Sequence, residues 1–402
     1  MSIVNIADKT LKRNIGVYYI CVIFTTISRT LPHAVLTVLL LDKGITISEI
    51  GQIQALYNIA MVFSEFPSGV ISDILSRKKV YILSIAVLVI SYAFVVFSAH
   101  YILIALAWFL YGVSSALDTG TLDAEIINGI KKGKNESYLS VFMGRVQQTA
   151  LISSIAGSGI GFALYDVIGC NIYFISIAFL LLSIFIVNFW FKTEAKVATI
   201  STKLTVGNIK SHVNEALQEI KEFPVLLILI ISLSSMQIFF QTHYHFWQAI
   251  CLDRGISKNY FYILYVVFQL ISIFAYKLKI AEFRVNHIVL NVILSVISII
   301  VIFISKNNIL FLFLYSFLCF EMTLFMFLAS FYFSKYVSMK HISALTSLTS
   351  TINRLVAFIV LISISKLLLF IDLIYIFIAN ATLTLAIILG VYLKGDIIIH
   401  ED

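Results

Sequence analysis

Stretches of about twenty mostly apolar residues recur twelve times along this chain, each long enough to cross the ~30 Å hydrocarbon core of a bilayer as a helix. They fall at about 15–41, 47–72, 80–98, 101–127, 137–163 and 171–191, and again at about 224–250, 260–276, 286–305, 308–334, 342–367 and 372–393. In lipid every backbone N–H and C=O has to be paired within the protein, which leaves helices and closed barrels as spanning structures. A barrel needs short alternating strands and many turns. These runs are continuous, and the chain has only three prolines in 402 residues. Composition agrees, at 60% hydrophobic and 12% charged, against roughly 45–50% and about 25% in soluble domains. With a mean hydropathy of +1.00, a soluble enzyme, a nucleic-acid module and a disordered chain are excluded. The expectation is an all-α membrane protein with 12 transmembrane helices, numbered here as spans 1 to 12.

A polar stretch divides the runs into six and six. The expected organisation is therefore an N-terminal bundle at about 1–191, a linker at about 192–223 and a C-terminal bundle at about 224–402. Within the linker, Ile209, Val213, Ala216, Leu217 and Ile220 recur at helical spacing between charges, which fits an amphipathic helix on the membrane surface or a plain solvated tether. Basic residues set the orientation. With the N-terminus inside, twenty Lys and Arg fall on inner segments and five on outer ones (Lys43, Arg254, Lys258, Lys306, Lys366). That asymmetry predicts both termini in the cytoplasm. No small-residue cleavage site follows the first run, so it is expected to remain as a helix. The four cysteines are scattered without metal or redox spacing, and no metal or cofactor is expected.

An ionisable side chain at mid-membrane costs at least ~2.5–3.5 kcal/mol, so it normally turns towards a cavity or a partner. Span 1 carries Arg29 and His33 on one face; span 2 has Glu65; span 4 has Asp118, Asp123 and Glu125; span 5 has Arg145. Span 7 has His243 and His245, span 10 has Glu321 and span 11 has Arg354, while the interiors of spans 3, 6, 9 and 12 have none. Every third span has a charge-free interior in both halves, the pattern of repeated three-helix units with one lipid-facing member each. On span 7, Gln237, Gln241, Tyr244 and Gln248 make a polar stripe, suited to a substrate cavity or to helix–helix hydrogen bonds. On span 10, Glu321 shares its face with Phe317 and Phe325. Glu65, Asp118 and Glu321 are candidate proton carriers; pairing of Glu321 with Arg29 or Arg354 is the structural alternative.

The junction of spans 2 and 3 reads Glu65-Phe66-Pro67-Ser68-Gly69-Val70-Ile71-Ser72-Asp73-Ile74-Leu75-Ser76-Arg77-Lys78-Lys79. Its Gly69-x3-Asp73-x3-Arg77-Lys78-Lys79 pattern resembles the loop 2–3 signature of the major facilitator superfamily, and the preceding Glu-x-Pro-Ser resembles the drug-efflux and proton-antiport branches. The resemblance implies two six-helix bundles related by pseudo-twofold symmetry, with spans 1, 4, 7 and 10 lining the cavity. Spans 2, 5, 8 and 11, with Arg145 and Arg354, would form the rocking interface, and spans 3, 6, 9 and 12 would face lipid. It further implies a cytoplasmic gating latch of Gly69, Asp73, Arg77 and Lys78, with Asp123 or Glu125 as the acidic partner of Arg77. Trp108-Phe109-Leu110-Tyr111-Gly112 departs from the antiport pattern, which has arginine at the tryptophan position, and the helix 5 glycine motif is only hinted at by Gly157, Gly159 and Gly161.

The expected function is secondary active transport, with proton-coupled efflux of a small amphipathic compound foremost. The expected cavity comprises Arg29, His33, Asp118, Gln237, Gln241, Tyr244, Phe317, Glu321 and Phe325. Proton-coupled uptake of a polar or anionic solute is the alternative, favoured by unpaired buried arginines and disfavoured by paired ones. A dedicated exporter of a self-made peptide antibiotic or siderophore is a narrower variant. No GxxxxGK[ST], HExxH or GxSxG occurs, so neither a self-contained ATP pump nor a hydrolase is expected. The expected partners are a small-molecule substrate, protons and the bilayer of the cell membrane, with no nucleic acid and a functional monomer.

Overall fold

The computed structural model describes residues 9–119, 121–132, 136–193, 218, 220–278, 285–337 and 342–394, and of 66–74, 131–132, 136–137, 140, 285–289, 342–344 and 391–394 the backbone alone. Most of the linker, including the amphipathic pattern, lies outside the described residues. In the first half the helices are α1 (Lys9–His33), α2 (Leu36–Asp42), α3 (Ile47–Ile74), α4 (Arg77–Phe97), α5 (Tyr101–Asp118), α6 (Leu122–Lys132), α7 (Glu136–Ile168) and α8 (Ile172–Trp190). In the second they are α9 (Pro224–Asp253), α10 (Phe261–Lys277), α11 (Val285–Ile304), α12 (Asn308–Tyr336), α13 (Ile342–Leu367) and α14 (Leu373–Lys394). Nine stretches among the described residues are long and apolar enough to cross a membrane, one of them, Val141–Trp190, running through both α7 and α8. The chain is a multi-pass membrane protein.

Two spans expected as unbroken helices are interrupted. Span 1 breaks between His33 and Leu36, just after Pro32, whose missing N–H and ring weaken the helical ladder there. Span 4 breaks between Asp118 and Leu122. There the hydroxyl of Thr119 donates to Ala116 O at 2.7 Å and that of Thr121 to Asp118 O at 2.8 Å, pairing carbonyls that the break frees. Discontinuous helices inside a membrane occur where the irregular backbone is buried in protein or lines a cavity.

The chain divides into two compact units, Met1–Lys196 and Val197–Asp402, and the same packing scheme is built in each. In the first unit span 1 (α1) packs on spans 5 and 6 (α7, α8), span 2 (α3) on span 4 (α5), and span 3 (α4) on spans 4 and 6. In the second, span 7 (α9) packs on spans 10, 11 and 12 (α12, α13, α14), span 8 (α10) on span 10, and span 9 (α11) on spans 10 and 12. Adding six to each number of the first set gives a contact of the second, whose span 7–span 10 contact is matched in the first by α1 on α6, the second piece of span 4. Within a unit, exchanging spans 1, 2, 3 with 4, 5, 6 maps the set onto itself, the three-helix repeat that the charge pattern anticipates. A repeated turn marks the relation in sequence: Leu41-Asp42-Lys43-Gly44-Ile45 ends span 1 and Leu252-Asp253-Arg254-Gly255-Ile256 ends span 7. Gly44 (φ 81°) and Gly255 (φ 73°) take the left-handed conformation that glycine adopts without a Cβ clash. Ile45 N donates to Leu40 O and Ile256 N to Cys251 O, the six-to-one bond of a helix-ending glycine turn.

Close contacts fix the bundles. A Cβ on Gly157 or Gly161 of α7 would collide with Thr30 or Leu31 of α1, so these glycines let two backbones meet. Gly112 of α5 likewise meets Tyr57 and Ala60 of α3. Large apolar side chains remain exposed along Leu83, Ile90 and Phe97 of α4, Leu181, Phe185 and Phe189 of α8, and Ile293, Ile297, Ile300 and Ile304 of α11. Such stripes on an otherwise buried helix suit contact with lipid chains.

Candidate functional site

In the first unit the site is assembled around Arg29. An α-helical side chain leans towards the helix N-terminus, and from α1 the guanidinium reaches Asp118, the last residue of α5, with Nη2 donating to Oδ2 at 3.0 Å. An acid at a helix C-terminus faces the negative end of the dipole, so the neighbouring guanidinium offsets an unfavourable field. The two side chains keep 28% and 25% of their surface accessible. A substrate or water can therefore reach the pair. His33, one turn further along α1, is exposed.

Beside the pair lies a narrow cleft lined by Arg29, Pro32, His33 and Leu36 from the broken span 1 and by Ser91, Tyr92, Val95, Trp108, Tyr111 and Tyr173. Three of its walls are linked edge to face, Tyr111 to Tyr92 at 6.0 Å and Tyr92 to Tyr173 at 5.0 Å, and Tyr57 packs on Tyr111 from behind at 5.2 Å. Arg29 Nε and the Tyr92 hydroxyl are both buried without a hydrogen-bond partner. Two spare donors between aromatic faces can hold a hydrogen-bond acceptor.

In the second unit the polar stripe of span 7 is a ladder rather than a set of separate groups. Gln241 Nε2 donates to Gln237 Oε1 at 3.0 Å, and Gln241 Oε1 lies 3.0 Å from His245 Nε2. Tyr244 stands exposed beside it and stacks on Phe240, whereas Gln248 is buried. The other histidine, His243, turns inward: its Nδ1 is 2.9 Å from the Tyr315 hydroxyl, and its ring lies against Phe239 and Phe268. Glu321 is 1% exposed and neither carboxyl oxygen has a hydrogen-bond partner. Arg29, one of its two expected alternative partners, is engaged by Asp118 within the first unit. Phe325 is buried beside the acid on the same helix face and Phe317 is half-buried.

The remaining expected residues are dispersed. The side chains of Gly69 and Asp73 lie outside the described residues. Asp123 lies within electrostatic reach of Arg77, and Glu125 of Lys78, inside the first unit. Lys78, grouped with the latch by its place in the loop, instead donates to Asn188 O and Phe191 O, both at 2.9 Å, at the C-terminal end of α8. Those carbonyls are free because the helix ends there. Glu65 is half-buried and engaged, Arg145 is exposed on α7, and Arg354 is half-buried beside Asn353, which accepts from Ser234. The sequence reading missed Tyr57, Tyr92, Trp108, Tyr111 and Tyr173. The signal available was the phenol itself, because a hydroxyl in a membrane span needs a partner or a cavity.

A model of the Major Facilitator Superfamily matches residues 18–361. No curated protein matches the sequence. Among solved structures, the fold is similar to the nucleoside transporter NupG (12% identity, TM-score 0.73, covering 97% of this chain and 100% of that one). It is similar to a bacterial homolog of the human lysosomal transporter Spinster in an inward-facing, unoccupied conformation (10%, 0.68, 96% and 95%). It is also similar to the human organic anion transporter MFSD10 (12%, 0.61, 96% and 100%). At these identities the likeness is one of fold. With the family model spanning most of its length, the twelve-span chain belongs to the Major Facilitator Superfamily of membrane transporters.

Proposed function

We propose that the protein is a proton-coupled secondary transporter that exports a small amphipathic, ring-bearing compound by alternating access. In this reading it works as a monomer in the cell membrane, with both termini in the cytoplasm. The observation that carries the coupling is Glu321, a carboxyl withdrawn from water with both oxygens unpartnered. An ionised carboxylate so placed is destabilised by several kcal/mol, so a proton that joins it and leaves it is a natural coupling ion. The tyrosine-walled pocket beside Arg29 and Asp118 supports an aromatic substrate with hydrogen-bonding groups. The pairing of Arg29 weighs against an anionic one, because the charge an anion would seek is already neutralised. The Glu65-x-Pro67-Ser68 and Gly69-x3-Asp73 signature supports the outward direction.

Everted membrane vesicles energised by respiration test the proposal. Planar aromatic amines and antibiotics added one at a time should release part of the stored proton gradient, and Glu321→Gln should abolish that release while the protein is still inserted. Release that persists in Glu321→Gln removes the acid from coupling. No release with any compound, or accumulation driven in the opposite direction, overturns export.

A further inference from the structure

We propose that the junction of α1 and α8 binds an anionic phospholipid, with the Arg13 guanidinium taking the headgroup phosphate. Arg13 stands in the second turn of α1, just before the apolar run of span 1, where a crossing helix meets the headgroups. Its Nε and Nη2 are both buried without a hydrogen-bond partner, and it enters no ion pair, among the described residues. Those two nitrogens are the fork that grips a phosphate or carboxylate through two parallel hydrogen bonds. A long basic side chain at a membrane boundary normally keeps its charged head in water. Here two nitrogens of the head are covered and unpaired, an arrangement that costs free energy until an acceptor is supplied. The residue as a whole is only half-buried, so a change of rotamer brings the fork to the helix surface.

The surroundings fit a lipid and not a soluble anion. Asn14, the next residue, clasps the chain just beyond α8: its Nδ2 donates to Lys192 O at 2.7 Å, and Lys192 N donates to its Oδ1 at 3.0 Å. The clasp fixes the exposed Lys192 close to Arg13, and the exposed Lys9 and Lys12 lie within one turn of it on α1. Basic groups gathered at this depth favour a headgroup of net negative charge over a zwitterionic one. Further into the span, Arg13, Val17, Ile20 and Phe24 recur at helical spacing along one side of α1. Ile20 is exposed, and Phe24 packs on Phe179 of α8 at 5.6 Å. A phosphate grip that continues into an apolar track suits a headgroup with acyl chains beneath it. A free phosphate would use the grip alone.

Native mass spectrometry of the purified, delipidated full-length protein, titrated with phosphatidylglycerol in detergent, tests this without a known substrate. Wild-type protein should retain the lipid, and Arg13→Gln should bind it at least about tenfold more weakly. Arg13→Lys keeps the charge without the fork and should remain weaker than wild type. Lys12→Gln removes the same charge from an exposed neighbour and should cost no more than about fivefold. Inorganic phosphate in excess should leave the bound lipid in place, and phosphatidylcholine should be held less tightly than phosphatidylglycerol. Equal losses in Arg13→Gln and Lys12→Gln, or wild-type binding by Arg13→Lys, overturn the grip of the fork. Displacement by inorganic phosphate, equal retention of phosphatidylcholine, or no retention of phosphatidylglycerol by wild type overturns the lipid.

Discussion

Arg29 on α1 and Asp118 at the end of α5 are joined by a single guanidinium–carboxylate contact of 3.0 Å, spanning 89 residues of sequence. It ties the two interrupted spans of the first unit together beside the tyrosine-walled pocket. Removing one partner leaves a charge that water solvates only in part. Asp118→Leu should therefore cost about 1–3 kcal/mol, less than a fully buried pair because a quarter of each side chain is accessible. The double variant Arg29→Met/Asp118→Leu should recover most of that loss. Thermal unfolding in detergent of the two singles and the double gives the coupling directly. If the losses simply add, the contact carries no stability.

Much of the architecture was legible because a bilayer imposes a length on every span and a cost on every buried charge. Twelve apolar runs and the charge-free third spans led to the packing scheme that both units show. The repeated Leu-Asp-Lys/Arg-Gly-Ile turn at Gly44 and Gly255 was equally readable and passed unnoticed. The breaks were harder. Pro32 signalled one, but the break at 119–121 is held by threonine hydroxyls bonding back to the helix, which ordinary span composition does not reveal.

The site was legible in its charges and not in its partners. Spacing placed Arg29 and His33 on one face but could not say which neighbouring helix supplied the acid. Three tyrosines from three helices wall the site, and in sequence each sits among apolar residues as any lipid-facing aromatic would. Lys78 illustrates the converse. Its place in a family signature suggested a latch, whereas its ammonium group is committed to the end of α8.

On α7 the contrast between two glycines tests the close contact with α1. A Cβ at Gly161 would meet the Leu31 backbone, whereas nothing lies within 4 Å of one at Gly144. Gly161→Ala should destabilise by about 1–3 kcal/mol through overpacking. Gly144→Ala, on the same helix, should be neutral or stabilising by up to about 1 kcal/mol from helix propensity. Melting temperatures of the two variants in one detergent decide the matter, and equal values would mean that α1 yields without cost.

His243 is expected to act as a core residue and not as a proton carrier. It is buried, bonded to the Tyr315 hydroxyl and packed against Phe239. His243→Phe should leave that buried hydroxyl unpaired, at a cost of about 1–3 kcal/mol. The pH profile of transport, once a substrate is in hand, should keep its midpoint. A displaced midpoint would return His243 to the coupling pathway.

Lys78 supplies a final separation between structure and gating. Its ammonium group donates to Asn188 O and Phe191 O where α8 ends, and a cation at a helix C-terminus also interacts favourably with the dipole. Lys78→Gln retains part of the hydrogen bonding and loses the charge, so it should lower stability by about 0.3–1 kcal/mol. Arg77→Gln, by contrast, removes the cation within reach of Asp123 and should impair transport with little effect on melting. Measuring both properties for both variants separates the roles. Should Lys78→Gln abolish transport at unchanged stability, the lysine belongs to the moving loop after all, and its bonds to α8 describe only one state of the cycle.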